Sequence, residues 1–349
     1  MTRANVRRPL RIVHAISSDA FAGVERHVST LAAAQSRMDS HRVAVIGGDP
    51  GAMRATIGDP SVVVHPAGSV LDVVRGLDRL RDCDVIHVHM TAAETAAVLS
   101  LRSWRVPVVA TRHFAAHRGR SLGGRSVAPL IRARVSAQIS ISAYVADRID
   151  GPSTVVHPGV PSQPDPVAGI VRTPSVLVVQ RLEAEKDTAD AIRAFASSGL
   201  HRHGWSLDIA GSGSQVTALS AVARELGVSD RVRFLGHRSD VVDLMRQAGL
   251  LVAPCSVEGL GLTVLEAMAA GLPVVASAAG GHLETVGAVR EPALFSPHDV
   301  VAAGELMSEL AADPSRRACY GAELRDLQRT SFTTEAQARA TDLVYRSVL

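Results

Sequence analysis

The chain has 349 residues, a formal net charge of +3, and 46% hydrophobic but only 3% aromatic residues. No run approaches the roughly 18 apolar residues needed to cross a bilayer, because Arg, Glu or Pro interrupts each candidate. Arg11 and His14 likewise break the apolar stretch that a secretory signal would require after the basic start. Cys83, Cys255 and Cys319 are widely spaced and lack a C-x-x-C pair, which argues against a disulfide framework or structural zinc and fits a reducing cytoplasm.

Net charge conceals an asymmetry: residues 1–168 carry 20 arginines against 13 acids, while the remainder carries 17 basic residues against 21 acids. Of the 37 basic residues only Lys186 is a lysine.

In chain order, Leu10 to Ile16 reads as a first strand and about Gly23 to Ser36 as a helix. Glu25 sits near that helix's start, where a carboxylate complements the helix dipole. The short apolar runs RVAVIG, DVIHVH, VPVVAT and AQISIS follow, separated by helical patterns. Such alternation predicts βαβ units and a parallel sheet. DVIHVHM places His87 and His89 on one face of a strand, a spacing compatible with metal ligation. The sequence offers no third ligand, so a packed or hydrogen-bonded pair is the better reading. His113 follows the strand VVAT, where a hydrogen-bonded strand-end histidine and a site residue are both open readings.

Arg112 to Arg134 also includes Arg118, Arg120, Arg125 and Arg132, interleaved with Gly, Ser and Ala. The cations suit either an anionic acceptor or peripheral membrane contact, or else a solvated loop in an arginine-biased chain. Nucleic acid is disfavoured, since stacking aromatics are missing. Pro158, Pro161, Pro164, Pro166 and Pro174 then mark a linker, which splits the chain into domains 1–164 and 165 onward. Two domains also suit this length at about 100 to 200 residues each.

The strand pattern restarts with SVLVVQ, SLDIAG, VRFLGH, GLLVAP and PVVASA. GSGS after SLDIA begins like a dinucleotide fingerprint, but Val216 stands where the third glycine belongs, so Gly211 and Gly213 are read as shaping a turn. The most informative stretch is VAPCSVEGLGLTVLEAMAAGLPVVASAAGGHLE, from Val252 to Glu284. A strand runs into Pro254, and Glu258 and Gly259 precede an apolar helix carrying Glu266. Gly259 and Gly261 would admit a phosphate to the backbone at a helix N-terminus. The carboxylates of Glu258 and Glu266 would instead accept hydrogen bonds from ligand hydroxyls. A ligand carrying both phosphates and sugars meets both demands. Leu262, Leu265, Ala267, Met268 and Ala269 leave little polar face, so Glu266 calls for a partner.

This segment resembles the donor-site signature of glycosyltransferase family 4, retaining enzymes of the GT-B fold, with Cys255 and Leu260 in the places of that family's serine and phenylalanine. The resemblance implies an α/β protein of two Rossmann-like parallel-sheet domains facing across an interdomain cleft. The C-terminal helix, 331–349, would return to the first, acceptor-side domain, leaving 165–330 to bind the donor. It implies that Glu258 contacts donor-sugar hydroxyls, that the backbone of Gly259, Leu260, Gly261 and Leu262 approaches the diphosphate, and that Glu266 binds the ribose. VLVVQRLEAEKD resembles the family's strand-loop-helix element whose arginine and lysine hold the diphosphate, here Arg181 and Lys186. Gln180 and Asp187 replace its glycines, and Asp187 puts an anion near the phosphates.

By the same resemblance His113 approaches the transferred sugar, Gly23 belongs to a first-domain, donor-binding loop whose backbone approaches phosphate or acceptor and in which Ala22 replaces a glycine, and Gly236 and His237 meet the nucleotide base. Gly280 and Gly281 would form another backbone loop at the site. The implied activity is transfer of a sugar from a UDP-, GDP- or dTDP-linked donor to a glycolipid, polysaccharide or small metabolite, with no cofactor and no metal. The implied location is the cytoplasm or its membrane face. A nucleotide-sugar epimerase of the same fold and a non-catalytic sugar-nucleotide-binding protein are the alternatives.

Overall fold

The structure, a computed structural model, describes residues 8–38, 41–80, 82–118, 124–165 and 172–349. It divides into two compact units: Met1–Gly159 with Thr334–Leu349, and Val160–Thr333. The bounds expected from the proline cluster and the family lay at 164 and 331; Pro166 lies outside the described residues.

Among the described residues, unit 1 contains strands β1 (Arg11–Ile16), β2 (Arg42–Ile46), β3 (Val63–His65), β4 (Val85–His89), β5 (Val108–Arg112), β6 (Ala137–Ser140) and β7 (Thr154–Val155). They form one sheet in the order β3-β2-β1-β4-β5-β6-β7, and every pairing is parallel. The β-branched runs read from the sequence are continuous because both faces are covered, as in parallel sheets generally. Ile12, Val45, Val85 and Val109 face Val28 of the helix Gly23–Arg37 and Val344 and Tyr345 of the helix Thr334–Ser347. On the opposite face Val13, Ile86 and Val88 meet Leu77, Ala93 and Ala97.

Unit 2 repeats the plan. Strands β8 (Thr173–Val179), β9 (Ser206–Ala210), β10 (Val232–Gly236), β11 (Ala248–Ala253), β12 (Val274–Ser277) and β13 (Leu294–Phe295) order as β10-β9-β8-β11-β12-β13. In each sheet the strand order reverses beside the first strand, between β1 and β4 and between β8 and β11. Open α/β sheets bind ligands at such switch points, beyond the strands' carboxyl ends. In unit 2 the segments leaving β8 and β11 there are Gln180–Asp187 and Pro254–Gly261, the two motifs singled out in the sequence. Among the described residues no helix is long and apolar enough to cross a membrane.

Candidate donor site and a buried histidine cluster

The loop after β8 and the loop after β11 are tied together by side chains. Lys186 Nζ donates to Glu258 Oε2 at 2.7 Å, and both side chains are mostly buried, at 19% and 24% exposure. Burial pushes the Glu258 carboxyl up, but the charge and hydrogen bond of Lys186 outweigh it, helped by His282 and the Gly259 amide, and hold it below its ordinary value. Burial pulls Lys186 down and Glu258 more than reverses that, so both groups stay charged. The Cys255 thiol lies 3.9 Å from the same ammonium.

Asp187, expected to set an anion near the phosphates, is engaged elsewhere. Its Oδ2 accepts from Ser256 N at 2.9 Å and Ser256 Oγ at 2.7 Å, which fixes the loop leading to Glu258. Its backbone lies in the left-handed region at φ 53°. A glycine would adopt that conformation freely, and Asp is among the few other residues that tolerate it. Gln180, at the other position where the family has glycine, donates through Nε2 to Lys186 O at 2.9 Å and Thr188 Oγ1 at 2.8 Å. Both departures thus supply hydrogen bonds to the loop that carries Lys186.

Gly280 and Gly281 press on the Glu258 loop from the β12 side. A Cβ on Gly280 would lie 2.0 Å from Glu258 O, and one on Gly281 2.2 Å from Leu260 Cα. Gly281 N also donates to Glu258 O at 3.0 Å. Gly211 and Gly213 likewise pack backbone on backbone, their added Cβ atoms falling 1.8 Å from Gln180 O and 2.3 Å from Leu182 O. They do shape a turn, and that turn braces the loop after β8. Glu266 is half-buried on the helix Leu262–Ala269.

Arg181 is exposed and pairs with Glu185 at 2.8 Å, yet its charge still bears on Lys186. Gly236 ends β10 at φ 66°, and His237 beside it is exposed. His282 was not anticipated: it is buried, its Nδ1 lies 3.0 Å from Ser277 O, and burial holds its pKa below the ordinary histidine value against the opposing pull of Glu258. Its position two residues past Gly280 in sequence carried no such signal.

In unit 1 the expected pair His87 and His89 proves to be part of a larger group. Among the described residues His14 of β1, His27 of the helix Gly23–Arg37 and His113 join them, all buried. The third nitrogen absent from the linear pattern is therefore brought close by the fold: nitrogen atoms of His14, His87 and His89, and of His27, His89 and His113, lie within 4.8 Å of one another. Most of these nitrogens already have hydrogen-bond partners. His87 Nδ1 is 2.7 Å from Tyr345 Oη and its Nε2 2.6 Å from Thr111 Oγ1. His89 bridges His14 and His113 at 3.1 Å each, and His14 reaches Gln35 at 2.7 Å. Buried polar groups are generally satisfied in this way, and the hydrogen-bonded reading extends from a pair to a network. Burial holds every ring neutral, lowering His14 to about 4, His113 to about 3, and His27, His87 and His89 well below the usual histidine range.

Gly23 opens its helix with no atom within 4 Å of an added Cβ, so packing does not demand a glycine there. Glu25 Oε2 accepts from Ala22 N at 3.0 Å, the helix-start role expected of it.

The arginine segment requires correction. Arg118 donates to Glu94 Oε1 at 2.6 Å and Asp150 Oδ2 at 2.8 Å, and Arg112 to Asp150 Oδ1 at 3.1 Å, all buried. Arg134 donates to the carbonyls of Ser103 and Val106. Burial pushes Asp150 up, but the amide and guanidinium of Arg118, with Arg112, hold it well below the carboxylate range. Arg112, Arg118 and Arg134 therefore lock the end of the sheet internally and cannot form a cationic face. Arg132 is exposed, while Arg120 and the side chain of Arg125 lie outside the described residues.

Residues 167–326 match the family described as Glycosyl transferases group 1, and residues 21–163 match Glycosyltransferase Family 4. The chain is 32% identical over 294 residues to glycogen synthase of Mycobacterium tuberculosis, covering 77% of this chain and 70% of that one. It is 30% identical over 304 residues to D-inositol 3-phosphate glycosyltransferase of Xylanimonas cellulosilytica, covering 74% and 71%. Its fold is similar to Anabaena HepE in complex with UDP and glucose, at a TM-score of 0.78 and 19% identity over 97% of this chain and 100% of that one. It is also similar to sucrose-phosphate synthase of Thermosynechococcus elongatus, at a TM-score of 0.79 and 19% identity over 98% and 99%.

Two parallel sheets of like strand order and these likenesses define a glycosyltransferase of the GT-B class, a transferase of EC 2.4. The chain belongs to glycosyltransferase family 4, group 1.

Proposed function

We propose that this chain is a retaining, metal-independent glycosyltransferase whose nucleoside-diphosphate-sugar donor binds at the switch point of unit 2. The observation that carries the proposal is the Lys186–Glu258 pair at 2.7 Å, held between the loops of two adjacent strands. An ammonium has three donors; Glu258 takes one, the Cys255 sulfur lies within reach of a second, and a third remains for a diphosphate. Lys186 and the exposed Arg181 offset the phosphate charge and the charge that grows on the departing nucleoside diphosphate. Glu258 accepts from the sugar hydroxyls and Glu266 from the ribose. The backbone of Gly259 to Leu262 approaches the diphosphate, and Gly236 and His237 meet the base.

In this reading the bond from the anomeric carbon to phosphate breaks as the acceptor oxygen bonds to that carbon on the same face, and the acceptor proton passes to a leaving phosphate oxygen. No side chain forms a covalent bond. From unit 1, His113 meets a hydroxyl of the transferred sugar, and the backbone at Gly23 meets phosphate or acceptor. Two names among the relatives support the donor class: HepE is described with UDP-glucose, and a Mycobacterium tuberculosis relative as GDP-mannose-dependent.

A thermal-shift panel with UDP, GDP, dTDP and their sugars tests the proposal, since a ligand of the native state raises its melting temperature by mass action. One nucleotide is expected to stabilise the wild type and to lose that effect in Lys186→Ala and Glu266→Ala. Equal stabilisation of all three proteins, or of none by any nucleotide, would sink the assignment.

A further inference from the structure

A line of buried imidazoles joins Gln35 to His113 within unit 1. His14 Nε2 lies 2.7 Å from Gln35 Oε1, His14 Nδ1 lies 3.1 Å from His89 Nε2, and His89 Nδ1 lies 3.1 Å from His113 Nε2. A neutral imidazole has one N–H and one bare nitrogen, so a line of them has a direction. Gln35 sets it. Its amide oxygen only accepts, so His14 donates from Nε2 and must accept at Nδ1 from His89 Nε2–H. His89 then accepts at Nδ1 from His113 Nε2–H, and Nδ1 of His113 is left bare. His113, at 8% exposure, is the least buried ring of the line.

The direction of the amide is itself coupled to a second branch. Gln35 Nε2 donates to Tyr345 Oη at 3.2 Å; that hydroxyl then donates to His87 Nδ1 at 2.7 Å, leaving His87 Nε2–H for Thr111 Oγ1 at 2.6 Å. Turning the Gln35 amide over would reverse every one of these bonds and move the proton of His113 to Nδ1. His27 stands edge-on to His113 with centroids 4.8 Å apart, which holds the last ring in place.

We propose that Gln35 is a positioning residue for His113: through His14 and His89 it fixes the Nε2-protonated tautomer and presents Nδ1 of His113 as a hydrogen-bond acceptor for a sugar hydroxyl. The hydroxyl half rests on the reading of His113 given above; the tautomer half stands on unit 1 alone.

The test uses the full chain labelled with ¹⁵N-histidine, whose long-range ¹H–¹⁵N correlations show which ring nitrogen carries each proton. Wild type is expected to show His14, His89 and His113 all protonated at Nε2. Gln35→Met keeps the side-chain length without the amide, and Tyr345→Phe frees the amide to turn. Both are expected to give His113 as a mixture of tautomers while retaining a cooperative melt, which a merely structural role would not produce. An Nδ1–H His113 in wild type, or an unchanged Nε2–H His113 in a folded variant, overturns the proposal; Tyr345→Phe serves alone if Gln35→Met does not fold. In transfer assays Gln35→Met is expected to lower kcat/KM about three- to tenfold, the effect of one neutral hydrogen bond, with His113→Ala lowering it at least as much. Wild-type turnover in His113→Ala, with the tautomer results intact, overturns the hydroxyl contact and leaves the relay standing.

Discussion

Lys186 and Glu258, 72 positions apart, meet at 2.7 Å where the loops of β8 and β11 come side by side. The cation assigned to phosphates and the carboxylate assigned to sugar hydroxyls are thus one charge pair before any ligand arrives. A donor that engages both must share the ammonium rather than find it free.

That sharing predicts coupled mutational effects. Lys186→Met removes a charged hydrogen bond to the diphosphate, of about 1.5–3 kcal/mol, and leaves Glu258 a mostly buried, unpaired anion. Calorimetric affinity for the preferred nucleoside diphosphate should fall about ten- to a hundredfold, and Glu258→Gln in the Lys186→Met background should restore part of the lost thermal stability. Independent, additive losses in stability would contradict the pairing.

Asp187 separates backbone from side-chain effects. Asn tolerates the left-handed conformation and keeps one acceptor, Gly keeps the conformation alone, and Ala keeps neither. Urea denaturation should rank the losses Asn below Gly below Ala, with about 1–3 kcal/mol for Ala from strain and lost hydrogen bonds together. A Gly variant as stable as wild type would show that the bonds to Ser256 contribute nothing.

Gly280→Ala would drive a Cβ to within 2.0 Å of Glu258 O. Loss of nucleotide binding, monitored by thermal shift, is expected without loss of the histidine resonances of unit 1. Retained binding would mean that the Glu258 loop tolerates displacement.

Acid should weaken unit 1 through its histidines. Their folded-state pKa values lie below the unfolded value of about 6.5, with His14 at about 4 and His113 at about 3. Unfolding therefore takes up protons below pH 6.5, and the stability from burying neutral rings is complete above that pH and lost as pH falls toward 4 for His14 and toward 3 for His113. The slope should reach about 1.4 kcal/mol per pH unit for each histidine involved. Urea midpoints flat from pH 7.5 to 6.5 and falling steeply by pH 5 are expected; a flat profile down to pH 4.5 would be inconsistent with this burial.

Arg118→Met takes the guanidinium from buried Glu94 and leaves Asp150 to Arg112 and Arg132, a change worth about 3–5 kcal/mol. Chemical denaturation should show that loss. Co-sedimentation with anionic vesicles should not change, because the guanidinium is not at the surface; weakened vesicle binding by a folded Arg118→Met would restore the membrane reading.

Local pattern was sufficient for much of the fold and part of the site. Alternating β-branched runs and helical periods gave two parallel-sheet halves, because strands buried on both faces need continuous apolar runs. Glu266 stood out because a carboxylate on an apolar helix demands a partner, Lys186 because it is the chain's one lysine, and the family resemblance added Glu258 and a role for each. Neither an apolar run nor a charged residue in it specifies its partner. Asp187 looked like an intruding anion, and only the approach of Ser256 showed it to be a loop tie. His87 and His89 looked like an isolated pair, because His14, His27, Gln35 and Tyr345 are scattered over 331 positions and converge only when β1 pairs with β4 and two helices cover that face. The arginines from 112 to 134 read as a charged surface, since sequence counts charge but not burial, and Glu94 and Asp150 reach them only across the fold. Short-range periodicity thus determined the elements, and the family resemblance singled out the candidate site residues, while pairing among their charges and the direction of the proton-bearing groups depended on long-range contacts that only tertiary structure makes.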